Sequence, residues 1–273
     1  SSSQYGGQTM YISHLSPFVE ETRKSFRKRL VEMGLDPKSP DFETIVEKAT
    51  LIDVEDGVQT FMYQLNTMSG TNGQAPFISL YMHLEDVPEG KDRDDLAMVC
   101  RKIFEQRIVG LKNASGAYVS PAFPKILYVL DEDNIHEDSK YWDLTVLAAT
   151  CTSKRMVPDY ISAKIMRELK DGNVYGCMGC RSFLTVGYVD KKDPWKMTTK
   201  KKGMPKFPGR FNQGVVTINL PDVALSSKGD IEKFWYILDE RLELCHKALR
   251  CRHDRLLGTP TSTAPILCQN GAI

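Results

Sequence analysis

No stretch of this sequence is apolar for long enough to cross a bilayer as a helix, and its first residues lack the charged-then-apolar pattern of a secretion signal. Neither sign of charge is in excess. The 36 Lys and Arg stand against 35 Asp and Glu, a formal net charge of +1, which argues against a general nucleic-acid binder. Cysteine is sparse and odd in number, seven in 273 residues, so a disulfide framework is excluded and a reducing cytoplasm is the expected setting. The common nucleotide fingerprints are missing too: neither G-x-x-x-x-G-K-[ST] nor a G-x-G-x-x-G following a strand occurs. No internal repeat is found, and spacing alone places no Ser/His/Asp triad and no pair of carboxylates.

What is present is an alternation of helical and extended patterns. "SPFVEETRKSFRKRLVEMG" offers Ser16 as N-cap, Pro17 in the first turn and Gly34 as terminator. A second helix is expected from Ser39 and Pro40, with Phe42, Ile45, Val46, Ala49 and Ile52 on one face. A further helical stretch follows through Val58, Phe61, Met62 and Leu65. "RDDLAMVCRKIFEQRIVGL" repeats the pattern at Leu96, Val99, Ile103, Phe104 and Ile108. The last helix starts at Asp230, carries Ile231, Phe234, Trp235, Leu238, Leu242, Cys245, Leu249 and Leu256 at helical spacing, and ends at Gly258. Its terminal arginines, 250, 252 and 255, complement the helix dipole. Between the helices, "PFISLYM" (76–82), "KILYVL" (125–130), "GVVTINL" (214–220) and "APILC" (264–268) read as strands. Strands alternating with helices predict βα units and a mainly parallel sheet, open or closed as a barrel, with the chemistry in the loops beyond the strand ends.

One short motif carries distinctive chemistry: "GCMGCRSFL" (176–184) holds a Cys-x-x-Cys pair, Cys177 and Cys180. A structural zinc site needs about four ligands, and no second pair exists at matching spacing. A thioredoxin-like redox pair should open a helix, whereas "RSFLTVGYV" is strand-like. Two ordinary, partly buried thiols remain the plain alternative. The Gly- and Ser/Thr-rich stretches "SSSQYGGQT", "TMSGTNGQAP" and "GTPTSTAP" could approach a phosphate, but such segments more often cap and turn. The lysine-rich run around Lys200–Lys202 and the acidic run "DEDNIHED" (131–138) both read as solvated loops.

Taken in order, "SSSQYGGQT", "PAFPKILYVLDEDN", "CTSKRMVPDY", "YGCMGCRSFL", "GRFNQGVVTINLPDVAL", "FWYILDERLELCHKALRCR" and "APILCQNGAI" resemble successive blocks of the anaerobic (class III) ribonucleoside-triphosphate reductases. The resemblance runs along essentially the whole chain. It implies a ten-stranded α/β barrel of the ribonucleotide reductase and glycyl-radical enzyme type, of which residues 1–273 would be the central, incomplete part. In that family a loop enters the barrel with a cysteine that becomes a thiyl radical. By match to Met-Gly-Cys-Arg, the resemblance assigns this role to Cys180 and leaves Cys177 without one. It likewise implies that Asn212 lies near the substrate hydroxyls, with Asn219 in reserve, and that Gly179, Arg181 and Ser182 shape the loop and the floor of the site.

The same resemblance implies a cytoplasmic homodimer that reduces ribonucleoside triphosphates under deoxynucleotide and ATP control. Formate would be the reductant, and an S-adenosylmethionine radical activase would generate the glycyl radical. The chain departs from the family pattern in lacking the glycyl-radical motif, the four-cysteine structural zinc site, the ATP cone and the strand bearing a second active-site cysteine. No metal or cofactor is therefore expected on this segment, which reads as one piece of a longer or split protein, with a second polypeptide as a possible source of the radical. Two rivals stand beside this reading: a catalytically silent module that binds a nucleotide or a partner, and another glycyl-radical enzyme such as an acyl lyase.

Overall fold

The computed structural model describes residues 8–68, 76–177, 183, 186–193, 196–207, 216–263 and 265. In chain order the first half holds β1 (Gln8–Tyr11), a 3-10 turn (Ile12–Leu15), α1 (Ser16–Glu32), α2 (Phe42–Thr67), β2 (Ile78–Met82), α3 (Lys91–Val109), β3 (Leu111–Lys112), β4 (Tyr118–Val119) and β5 (Lys125–Leu130). There follow α4 (Trp142–Arg155), β6 (Asp159–Ser162), α5 (Ala163–Leu169), β7 (Gly187–Asp190), β8 (Met197–Thr198), β9 (Gly203–Lys206), α6 (Leu220–Ser227) and α7 (Ile231–Leu256).

The main sheet is parallel, ordered β1-β2-β5-β6. Parallel neighbours need crossover connections, and here helices supply them, as the alternation of patterns requires. Among the described residues the four strands form an open sheet and do not close into a barrel. Two small antiparallel sheets accompany it, the β3–β4 hairpin and β8-β7-β9. Gly110 lets the hairpin fold back on α3: its φ is +87°, and a Cβ there would stand 2.6 Å from the Val119 carbonyl oxygen.

Both faces of the central strands are buried, so their side chains divide by parity. Leu80, Met82, Ile126 and Tyr128 face the helices and join Leu96, Phe104, Leu144 and Ala148 in the larger core. Each fully buried Leu, Ile or Phe there stabilises the fold by about 1.5–3 kcal/mol relative to exposure. On the opposite face, Tyr81, Leu127, Val129 and Ile161 meet Tyr175 and Cys177, with Phe183, Val186 and Phe207 packed against them. This second face, called the loop face below, is covered by the segment that leads into and out of residues 178–182.

Several expectations change on contact with the structure. Ser16 does not cap α1; a 3-10 turn precedes it, Leu15 occupies the cap position, and the Ser16 hydroxyl donates to the Ser13 carbonyl at 3.1 Å. The two stretches after Ser39 are one continuous helix, α2. Its buried row is Phe42, Val46, Thr50, Val58, Met62 and Leu65, leaving Ile45 and Ile52 exposed. Residues 216–219 of the expected strand 214–220 form no strand, and Leu220 begins α6 because Asn219 and Pro221 supply a helix start. α7 forms where expected, with the Asp230 carboxylate accepting from the Lys233 N–H at 3.1 Å. No residue of α7 is buried, however; it packs on α6, and its stripe of Ile231, Trp235, Leu242, Leu249 and Leu256 is exposed. Lys200–Lys202 lie in the turn between β8 and β9, as the solvated-loop reading expects.

Candidate active-site face

Two features of the loop face carry polar chemistry: the anchorage of Gly176–Cys177, and a charged cluster at the carboxyl ends of β2 and β5. The anchorage is built from alternate residues of neighbouring strands. Thr9 and Tyr11 project from β1, and Tyr81 projects from β2 on the same side. The Thr9 hydroxyl donates to the Cys177 carbonyl, and the Tyr11 hydroxyl accepts from the Gly176 N–H at 3.0 Å. The rings of Tyr11 and Tyr81 lie 4.7 Å apart at 54°. Tyr175 stacks on Phe207 at 5.2 Å and meets Phe183 edge-on at 6.3 Å, so the residues flanking 178–182 are held together by aromatic packing. The Cys177 side chain is fully buried.

The Tyr81 side chain is also fully buried, and its hydroxyl has no hydrogen-bond partner among the described residues. Burial pushes its phenol well above the usual range, with the nearby Asp86 and Asp131 charges acting in the same direction. The hydroxyl therefore stays protonated at physiological pH.

The charged cluster begins where β2 and β5 end, the place where parallel sheets gather polar function. Nδ1 of His83 lies 2.9 Å from Asp86 Oδ1, and its Nε2 lies 3.0 Å from Asp131 Oδ2. Burial alone would lower the imidazole pKa, but the two carboxylates outweigh it and raise it from 6.5 to about 9. His83 is therefore cationic at neutral pH, and both ring nitrogens donate. Arg167, on α5, grips Asp131 with both terminal nitrogens, at 2.8 and 2.6 Å, and reaches Glu85 at 2.9 Å. Burial would raise the Asp131 carboxyl; His83, Arg167 and the Glu132 N–H overcome that and hold it well below the usual carboxylate range. Asn134 completes the corner by accepting from the Asp131 N–H and donating to the Val129 carbonyl, each at 3.0 Å.

This geometry corrects the reading of 131–138 as a solvated loop, since Asp131 and Asn134 are buried. Its first carboxylate neutralises two cations, His83 and Arg167, that no local pattern reveals. His83, Glu85 and Asp131 also bring three possible metal-ligand atoms within 4.8 Å of one another. There the Arg167 guanidinium already bridges both carboxylates, so the positive charge a metal would provide comes from the protein itself. On the helix face, a cleft of about 250 Å³ between α1, α2 and α3 is lined by Ile12, Phe18, Val58 and Phe61, with Asp53 its one ionisable group. It is apolar and on the wrong side of the sheet for the anchored segment.

Of the residues singled out by sequence, Gly179, Cys180, Arg181, Ser182 and Asn212 lie outside the described residues. Asn219 is described: it is exposed and caps α6, its side chain accepting from the Asp222 N–H at 3.2 Å. Thr9, Tyr11, Tyr81, His83, Asp131 and Arg167 escaped the reading of the sequence. A signal for two of them, Tyr81 and His83, lay in alternation, because with Ser79 they put polar-capable residues at every second position along and just after an otherwise apolar strand. Arg167 gave none.

Comparison with known proteins bears directly on this arrangement. The family model for anaerobic ribonucleoside-triphosphate reductase matches residues 1–273. The anaerobic ribonucleoside-triphosphate reductase of Enterobacteria phage T4 is 36% identical over 279 residues, covering 99% of this chain and 42% of the relative. Those of Escherichia coli (strain K12) and Salmonella typhimurium (strain LT2) are 35% and 36% identical over 273 residues, covering 98% of this chain and 35% of each relative. The chain thus spans between about a third and two-fifths of the length of these relatives. No described helix is long and apolar enough to cross a membrane. The match along its full length and the identity to these three reductases place the chain in the anaerobic ribonucleoside-triphosphate reductase family.

Proposed function

We propose that this chain is the part of an anaerobic ribonucleoside-triphosphate reductase that carries the thiyl cysteine, Cys180, and that its parallel sheet belongs to a larger barrel of the ribonucleotide reductase type. The observation that carries the reading is the match of the whole chain to that family, supported by the anchoring of Gly176–Cys177 on the sheet directly before Cys180. In this role the sulfur of Cys180 takes a hydrogen atom from C3′ of the ribose, becoming a thiol and leaving a carbon radical. That radical allows the 2′-hydroxyl, with one added proton, to leave as water. The reductant, formate in the proposed scheme, then supplies two electrons and a proton, so that a new C2′–H bond replaces the lost C2′–O bond and formate is oxidised to carbon dioxide. Cys180 returns its hydrogen atom to C3′ and is ready for another cycle.

A serine could not substitute, because its O–H bond is too strong to be opened by a carbon-centred radical. The segment must also be kept from water and stray hydrogen donors, which favours burial over a rim position. Asn212, with Asn219 in reserve, would hydrogen-bond the substrate hydroxyls, and Gly179, Arg181 and Ser182 would form the floor. The glycyl radical that first oxidises Cys180, its S-adenosylmethionine radical activase, the structural zinc and the ATP and deoxynucleotide effectors belong to the proposed complete enzyme, a cytoplasmic homodimer.

The test compares two thiols three residues apart. Cys180→Ala should abolish turnover of the active reductase, by at least about 10³-fold as expected when a covalent catalyst is removed. Cys177→Ala, which removes only a buried side chain, should retain most of it. Equal loss in both variants would defeat the assignment.

A further inference from the structure

Thr9, Tyr11 and Tyr81 come from two adjacent strands yet converge on two consecutive residues, Gly176 and Cys177. Both backbone polar groups facing them are engaged: the Gly176 N–H by the Tyr11 hydroxyl and the Cys177 carbonyl by the Thr9 hydroxyl. The third contact is steric. A Cβ built on Gly176 would stand 3.0 Å from the Thr9 methyl and 3.1 Å from two carbons of the Tyr81 ring. Neither neighbour is free to move. The Thr9 rotamer is tied by its hydrogen bond, and Tyr81 is fully buried between Tyr11 and Gly176. Glycine is thus needed at 176 because the backbone lies closer to the sheet than any side chain permits.

We propose that Thr9, Tyr11 and Tyr81 are positioning residues that seat Gly176–Cys177 against the sheet and so set the place from which Cys180, three residues on, reaches its substrate. The proposal rests on the reading of Cys180 as the reacting thiol. The physical reason is geometric: hydrogen-atom transfer depends steeply on the approach of the reacting atoms, and a displacement of about 1 Å can cost on the order of 100-fold in rate. Two hydrogen bonds and one close ring contact fix the backbone at the last point before the reacting residue. The edge-on contact of Tyr175 with Phe183 holds the two sides of the segment together.

The seat predicts an unusual ranking of variants. Gly176→Ala lifts the segment by a few tenths of an ångström and should lower kcat roughly tenfold while leaving KM within about twofold. Thr9→Val keeps the shape of threonine but removes the donor, and should do the same; Thr9→Ser restores the donor and should recover activity.

A second readout needs no turnover. Native-state alkylation by iodoacetamide, followed by peptide mass spectrometry, should find Cys177 protected in the wild type and modified at least about tenfold faster in Gly176→Ala and Thr9→Val. Cys100 and Cys151, buried in the other core, should stay protected in every variant. Faster alkylation of Cys177 with unchanged kcat would overturn the proposal, as would equal opening of Cys100 and Cys151, which signals general unfolding. Turnover that survives in Cys180→Ala would instead sink the Cys180 reading, and the alkylation pattern would still report whether the seat exists.

Discussion

At the scale of single residues, His83 is the group whose ionisation the fold controls most directly. It is buried between Asp86 and Asp131, and its folded pKa is about 9 against an ordinary 6.5. Because the folded value lies above the unfolded one, the contribution to stability is fully present below about pH 6.5 and is lost as pH rises through about 9. The difference corresponds to about 3 kcal/mol. Chemical denaturation of the wild type across pH 6 to 10 should therefore show stability falling over that window, and His83→Gln should flatten the fall. A wild-type profile with no slope between pH 6.5 and 9 would mean that the imidazole is neutral in the fold. The sign reverses for Asp131, whose depressed pKa gives stability above the normal carboxylate range that is lost on acidification. Deleting its charge should be the harsher change, since Arg167 and His83 would each lose their buried acceptor and keep only Glu85 and Asp86 respectively.

At the scale of elements, the helix layer is tied together by an ion pair that alternation rules do not show. Arg23 of α1 meets Asp95 of α3 through paired hydrogen bonds of 2.6 and 2.5 Å, both side chains 4% exposed, while its Nε donates to Glu47 of α2 at 2.8 Å. One guanidinium thus joins three helices. Its contribution is conditional: removing one partner strands a buried charge, at a cost of about 3–5 kcal/mol, whereas replacing both with apolar residues is often close to neutral. Urea denaturation of Arg23→Met, Asp95→Leu and the double variant should show two unstable singles and a double that recovers most of the loss. An additive double would mean that the two groups do not interact.

What could be read from the sequence follows the same physics. β2 and β5 were visible because both faces are buried and their runs are continuously apolar. α1, α3 and α7 were visible through their apolar periodicity, and α7 also through its Asp230 cap. β1 and β6 were missed, being four residues each and half-polar, since Thr9, Tyr11, Asp159 and Tyr160 sit where hydrogen bonds replace hydrophobic burial. α4 and α5 were missed because "DLTVLAATCTSKR" is rich in Thr, and α5 has only seven residues. "GVVTINL" misled because β-branched residues favour strands, while its end already carries the Asn-x-Pro-Asp start of α6. Resemblance assigns a role to Cys180, which lies outside the described residues, whereas no local pattern reveals that distant strands converge on Gly176 and Cys177.

At the scale of the whole molecule, the described residues are unevenly held. Strands β2 and β5 and the helices α1, α2, α3 and α4 share one large core, while α7 runs for 26 residues with none buried. In proteins most of a helix's stability comes from packing its apolar face rather than from helix propensity. Trp235 is 53% exposed and Ile231 61%, so tertiary burial contributes little to holding α7. Amide hydrogen exchange on the 273-residue chain should consequently be graded. Amides of β2 and β5 should exchange only through global unfolding, and those of α7 should exchange at least about 100-fold faster through local opening. Protection of α7 equal to that of β5 at micromolar concentration would contradict this account. If it fell on dilution, association through the exposed stripe would explain it; if it did not, contacts within the chain would have to cover that face.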